Sequence, residues 1–189
     1  MKSKDNERVF IVVPVYNEGP VVRNVIKEIK KQGYKHLIVI DDGSSDNTAS
    51  EVGKEKVTLL QHAINRGKGA AVKTGIEAAK ILGAKYVVTI DGDGQHEPKD
   101  IHLLVQKLKN RYDVVLGSRF LKRNNTIPFS RLLGNYIGNV FTWVFYGIWV
   151  NDSQSGFRAY SKNAISFIKT MNDKYEYDSE VIKEVAKKQ

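Results

Sequence analysis

An α/β fold, with a mostly parallel sheet flanked by helices, is predicted for this 189-residue sequence by three observations. Short β-branched apolar runs alternate with amphipathic stretches of helical period, the pattern of strand–helix–strand units. The polar, chemistry-bearing clusters fall just after those apolar runs, which places them together on one edge of such a sheet. The bulk numbers, 41% hydrophobic and 27% charged, suit one globular domain with a sizeable core.

The first strand is expected at 9–13. Pro20 suits the first turn of a helix, and Val21, Val22, Val25, Ile26 and Ile29 then share one face. Further strands are read at 37–40, 57–61, 86–90 and 114–116, with helices at 70–82 and at 99–108, the latter opened by Pro98. Beyond Gly117 the alternation stops. Residues 132–150 carry no charge over 19 positions and form a broad apolar stripe rich in aromatics, with Lys122, Arg123 and Arg131 on the flank. This is read as an amphipathic helix lying in a membrane interface. A long core helix is the alternative, and a bilayer span, which needs roughly 20 apolar residues, comes third because asparagines and glycines interrupt the run. Helices at 162–171 and 178–188 complete the expected domain, 1–189, with about 120–151 as its acceptor or membrane-interface region.

Composition narrows the chemistry. Cysteine is absent, which removes disulfides and thiolate metal sites and suits a reducing compartment. No signal sequence is expected, since residues 1–8 are charged and the next apolar run is short. The formal net charge of +9 favours anionic partners. Nucleic acid is not expected, because the lysines are dispersed along helix faces instead of clustering with aromatics.

Among the motifs, Asp91-Gly92-Asp93-Gly94 after the run 86–90 is the most informative. Two carboxylates at i and i+2, leaving the end of a buried strand, can share one hard divalent cation, and the glycines allow a tight turn and close approach of an anion. A helix-loop-helix calcium site is excluded, because His96 and His102 stand where its glycine and terminal glutamate belong. No Gly-x4-Gly-Lys-Ser/Thr, Gly-x-Ser-x-Gly or His-Glu-x-x-His occurs, and Gly67-Lys68-Gly69 lacks the third glycine of a dinucleotide fingerprint.

Taken in order, Pro14-Val15-Tyr16-Asn17-Glu18, Asp41-Asp42-Gly43-Ser44-Ser45-Asp46-Asn47-Thr48, Asn65-Arg66-Gly67-Lys68-Gly69, Asp91-Gly92-Asp93-Gly94-Gln95-His96, Gly117-Ser118-Arg119 and Asp152-Ser153-Gln154-Ser155-Gly156-Phe157-Arg158 cover nearly the whole chain. This set resembles a family-two glycosyltransferase of the Rossmann-like GT-A fold, in the branch similar to dolichyl-phosphate mannose synthase and other polyprenyl-phosphate glycosyltransferases. The Gln-x-x-Arg-Trp of processive polysaccharide synthases is missing, which argues against polymerisation.

The resemblance implies an inverting, metal-dependent transfer of a hexose from a nucleotide-diphosphate sugar, of GDP-mannose or UDP-glucose type, to a dolichyl or undecaprenyl phosphate. It places Pro14, Tyr16, Asn17, Glu18, Asn65, Lys68 and Asp91 around the donor, with Asp41 or Asp42 accepting from the base or ribose. Asp91, Asp93 and Gln95 are the expected ligands of Mg²⁺ or Mn²⁺, and Asp93, Arg119 and Asp152 the catalytic set. Because a phosphate monoester is already largely ionised at neutral pH, with a second pKa near ~6, the acceptor needs cations more than a base. Arg119, Arg131 and Arg158 are the candidates, since guanidinium groups grip phosphate through paired donors. The expected partners are donor, lipid phosphate and membrane surface, with the enzyme peripheral on the cytoplasmic face. A soluble hydroxyl acceptor with Asp152 as base, or a non-catalytic nucleotide-sugar-binding module, is the alternative.

Overall fold

The computed structural model describes residues 8–110, 112–117 and 155–167. The elements run β1 (Val9–Val15), α1 (Gly19–Lys31), β2 (His36–Asp41), α2 (Thr48–Gly53), β3 (Thr58–Gln61), α3 (Lys68–Ile81) and β4 (Tyr86–Thr89). A 3₁₀ turn (Pro98–Asp100) then leads into α4 (Ile101–Lys109), followed by β5 (Val114–Leu116), β6 (Arg158–Ser161) and α5 (Lys162–Phe167). Among the described residues six strands form one sheet, in the order β3-β2-β1-β4-β6-β5. The pairs β1–β2, β2–β3 and β1–β4 are parallel, and β6 runs antiparallel to both β4 and β5.

All seven residues of β1 are buried, as a central parallel strand covered on both faces requires. Its side chains still alternate. Val9, Ile11, Val13 and Val15 join the core beneath α1 and α4, with Val22, Val25, Ile26, Ile29, Ile101 and Leu104. Phe10 and Val12 face the opposite layer with Ala71, Val72 and Ala79 of α3 and Ala164 and Ile165 of α5. The two layers make the sheet doubly wound.

The five expected strands and the helices expected from Pro20, at 70–82 and at 99–108 are present with bounds within about two residues, and α5 begins at the expected 162. The turn helix α2 and the reversed strand β6 were not expected, and each has a physical reason. Only Thr48 and Val52 of α2 are buried, too few to leave a period. In β6 the run Arg158-Ala159-Tyr160-Ser161 has no β-branched residue, and pairing on both sides supplies what local preference does not. The expected segments at 132–150 and 178–188, and residues 168–171, lie outside the described residues. Among the described residues no helix is long and apolar enough to cross a membrane.

Close packing of α3 depends on Gly75, where a Cβ would sit 2.3 Å from Val12 Cγ1 and 2.7 Å from Ile40 Cδ1. Gly75→Ala is therefore expected to lower stability by about 1–3 kcal/mol in urea unfolding, although alanine is the better helix former. Tyr34, 4% exposed, has its phenol pushed by burial from the ordinary 10.0 up to about 12. A raised folded value means this contribution is complete below pH 10 and disappears as pH climbs through about 12. Tyr34→Phe should remove roughly 2–3 kcal/mol of that alkaline loss, read as a flatter stability curve between those pH values.

Candidate active site

The chain leaves β1 for β2 on one side and later returns to β4 on the other, so a switch in strand order lies between β1 and β4. Ligands of open α/β sheets bind in the crevice outside such a point. A cleft of about 650 Å³ opens there, with Pro14, Glu18, Asp42, Lys68, Asp91 and Asp93 on its walls. Its depth comes from unequal strand lengths. Val12 pairs with Thr89 and accepts from the Ile90 N–H at 3.0 Å, so β1 runs on three residues beyond the end of β4. The chain then turns under Val15 through Gly92, where a Cβ would lie 2.4 Å from Val15 Cγ1.

Asp91 is the electrostatic centre of one wall. Its Oδ1 lies 2.8 Å from Lys68 Nζ, and its Oδ2 lies 3.6 Å from His96 Nε2, whose ring rests against Phe157. Burial alone would raise its carboxyl, but the His96 ring and the Lys68 ammonium outweigh that and hold it at about 2. Glu18 responds in the opposite sense. Burial first, then the charges of Asp93, Asp46 and Asp91, raise it above the ordinary glutamate value. The cleft is thus crowded with negative charge near Lys68. Hard oxygen donors in that state suit Mg²⁺ or Mn²⁺. Asp91 and Asp93 are the residues able to hold one, although no cluster of three or more acidic or histidine side chains converges on a metal position among the described residues.

The other wall is built around Asp42, which is 2% exposed. Its carboxylate accepts from the backbone N–H of Arg66 at 3.0 Å and of Gly67 at 2.7 Å, pinning the loop that precedes α3. Gly67 sits at φ 98, a conformation glycine adopts without strain. His62 Nδ1 lies 2.6 Å from Asp42 Oδ1.

The family described as glycosyl transferase family 2 matches residues 10–168. The chain belongs to that family. It is 40% identical to the uncharacterized protein MJ1222 of Methanocaldococcus jannaschii over 94% of its own length and 75% of that protein. It is 35% identical to the UDP-N-acetylglucosamine–dolichyl-phosphate N-acetylglucosaminyltransferase of Methanococcus voltae, covering 85% of this chain and 72% of the relative. Among solved structures, glucosyl-3-phosphoglycerate synthase from Mycobacterium tuberculosis, in complex with Mn²⁺, UDP-glucose and phosphoglyceric acid, superposes with a TM-score of 0.71 at 19% identity. That match covers 95% of this chain and 65% of the neighbour, and it shows the GT-A fold. The enzyme is a glycosyltransferase.

Within this family-2 domain, Pro14, Tyr16, Glu18, Asp42, Asn65, Lys68, Asp91 and Asp93 do converge on the cleft. Four other expected residues do not line the cleft. Asp41, 1% exposed, accepts from the Ser44 N–H and from Gln61 Nε2, so it shapes the turn after β2 and does not line the cleft. Asn17, at φ 55, ties the turn after β1 to the next one, its N–H donating to Ser44 Oγ and its Oδ1 accepting from the Ser45 N–H. Gln95 is exposed and outside the cleft wall, and its backbone N–H donates to Asp93 Oδ1. Arg158 was expected to face the acceptor phosphate. It is 1% exposed in β6, and its Nε donates to the Ser155 carbonyl, which makes it an internal brace of the 155–157 turn. Arg119, Arg131 and Asp152 lie outside the described residues.

Three contributors escaped the sequence reading. His62 sits at the end of β3, and that strand-end position was the available signal. His96 belongs to the motif read for Asp91, but its contact with that acid depends on how the turn folds. Gly156 gave none. A Cβ there would lie 2.2 Å from Asp91 Oδ1 and 2.4 Å from Lys68 Nζ, so the backbone of the 155–157 turn presses on the ion pair, and its carbonyl accepts from Thr89 Oγ1. Gly156→Ala is expected to force Asp91 and Lys68 apart and to move the Asp91 carboxyl up from about 2 toward its ordinary 3.8, measured by NMR titration. An unchanged titration would mean that Gly156 does not seat the pair.

Proposed function

We propose that this domain transfers a hexose from a nucleotide-diphosphate sugar to a polyprenyl phosphate at a membrane surface, with inversion at the anomeric carbon. The observation that carries the reading is the placement of Asp42 on one cleft wall and of Asp91, Asp93 and Lys68 on the other. These acids follow β2 and β4, which flank β1, so roughly two strand spacings, about 10 Å, separate them. That is room for a ribose between a base and a diphosphate. The Methanococcus voltae relative supports it, since its name states a UDP-sugar donor and a dolichyl-phosphate acceptor.

In this reading Asp42 holds the nucleoside, and Lys68 places its ammonium beside the diphosphate. Asp91 and Asp93 would hold Mg²⁺ or Mn²⁺, which as a Lewis acid neutralises charge building on the departing nucleoside diphosphate. Lys68 supplies part of the same neutralisation and is already held in the cleft by Asp91. The acceptor phosphate is itself the nucleophile, and an oxygen of it forms the new bond to the anomeric carbon as the diphosphate leaves with the bonding electrons. Arg119 and Arg131 position that phosphate and Asp152 helps orient it, by the family resemblance. The uncharged, aromatic-rich 132–150 segment and the +9 balance favour a peripheral site on the cytoplasmic membrane face.

The protein incubated with a nucleotide sugar, Mn²⁺ or Mg²⁺ and a short-chain polyprenyl phosphate should form a glycolipid, detected by mass spectrometry. EDTA should abolish the product, and Asp93→Ala should lower kcat by about 10²–10³-fold. Turnover confined to soluble hydroxyl acceptors, or indifferent to EDTA, overturns the proposal.

A further inference from the structure

Asp42 has almost no hydrogen-bonding capacity left. An ionised carboxylate accepts along about four lone-pair directions. Oδ1 takes His62 Nδ1 at 2.6 Å and the Arg66 N–H at 3.0 Å, and Oδ2 takes the Gly67 N–H at 2.7 Å. One acceptor direction remains, on Oδ2. With its side chain only 3% exposed, Asp42 presents a point to the cleft and not an edge.

His62 is what closes the second position on Oδ1. Its side chain is 9% exposed and does not line the cleft, so it acts through Asp42 as a positioning residue. The carboxylate can only accept, which requires the hydrogen on Nδ1. In the neutral ring Nε2 then accepts from the Thr74 hydroxyl, 2.9 Å away on α3. The ring is therefore clamped between α3 and the end of β2, and Asp42 cannot rotate to free its other oxygen without breaking that clamp.

We infer that His62, through Asp42, sets the base specificity of the donor site and selects a uracil nucleotide over a guanine nucleotide. This rests on the donor reading proposed above. Guanine offers a ring N–H and an amino hydrogen side by side, and satisfying both needs two open carboxylate oxygens. Uracil offers a single ring N–H between two carbonyls, which matches one open acceptor. The same wall carries Asn65, whose carboxamide can donate to a flanking carbonyl. A guanine placed here would leave one buried donor without a partner, and sites of this kind discriminate strongly against ligands that do so.

The test is calorimetric titration of the whole protein with UDP and with GDP, each in Mn²⁺. The native protein should bind UDP at least about tenfold more tightly, and the 5′-diphosphate of N3-methyluridine, which lacks the ring N–H, at least about tenfold more weakly than UDP. His62→Leu, which keeps bulk and removes the donor, should bring UDP and GDP to within about threefold. His62→Asn, which restores an N–H near the Nδ1 position, should recover the preference. In turnover the leucine change should raise the donor KM while kcat stays within about threefold. GDP bound as tightly as UDP, full affinity for the methylated base, or an undiminished preference in a folded His62→Leu protein each overturns the inference and leaves the transferase proposal standing. If neither nucleotide binds, both fall. Should the leucine protein not fold, the methylated nucleotide still decides.

Discussion

The contact between Lys68 and Asp91 joins three stretches that are distant in sequence. Lys68 opens α3, Asp91 leaves the end of β4, and the 155–157 turn lies against both through Gly156. With His96 this contact holds the Asp91 carboxyl below its ordinary value, against the burial that raises it, and it brings a cation to the part of the cleft where acids crowd. A site for a polyanionic donor faces opposite demands. It needs carboxylates to hold a divalent ion and positive charge to offset the phosphates, and close pairing satisfies both without leaving either charge isolated.

The fold provides the platform through one inequality. The central strand outruns β4 by three residues, so the turn carrying Asp91 and Asp93 is set back from the rim formed by Pro14 and Val15. The loop from Ser44 to Thr48 is then clasped to the start of α1. Glu18 N–H donates to Thr48 Oγ1, and Gly19 N–H donates to Asp46 Oδ2. Those bonds satisfy amides that would otherwise be orphaned at a helix start, and they fix Glu18 near the cleft acids. Acids spent on such clasps, Asp46 and Asp41 among them, are why the chemical acids are fewer than the motifs suggest.

How much of this could be read beforehand depended on the range of the interaction. Strands β1 to β5 and helices α1, α3 and α4 were legible because apolar runs and amphipathic periods are local features of the sequence. Convergence of the motif residues was legible because parallel strands must share a carboxyl edge. The short α2 and the reversed β6 were not, since their stability comes from partners far along the chain.

The roles within the motifs divide the same way. Sequence alone determined the doubly wound architecture, the family and the presence of Asp42, Asp91, Asp93 and Lys68 near one cleft, because spacing and residue type are local facts. Only the tertiary structure decided that Asp42 faces the cleft while Asp41 shapes a turn, that Arg158 is buried as a brace, and that His62 restricts its acidic neighbour. Those outcomes depend on which hydrogen-bond donors from β3, α3 and the 65–67 loop arrive at each carboxylate, and adjacent aspartates in a sequence carry no mark of that.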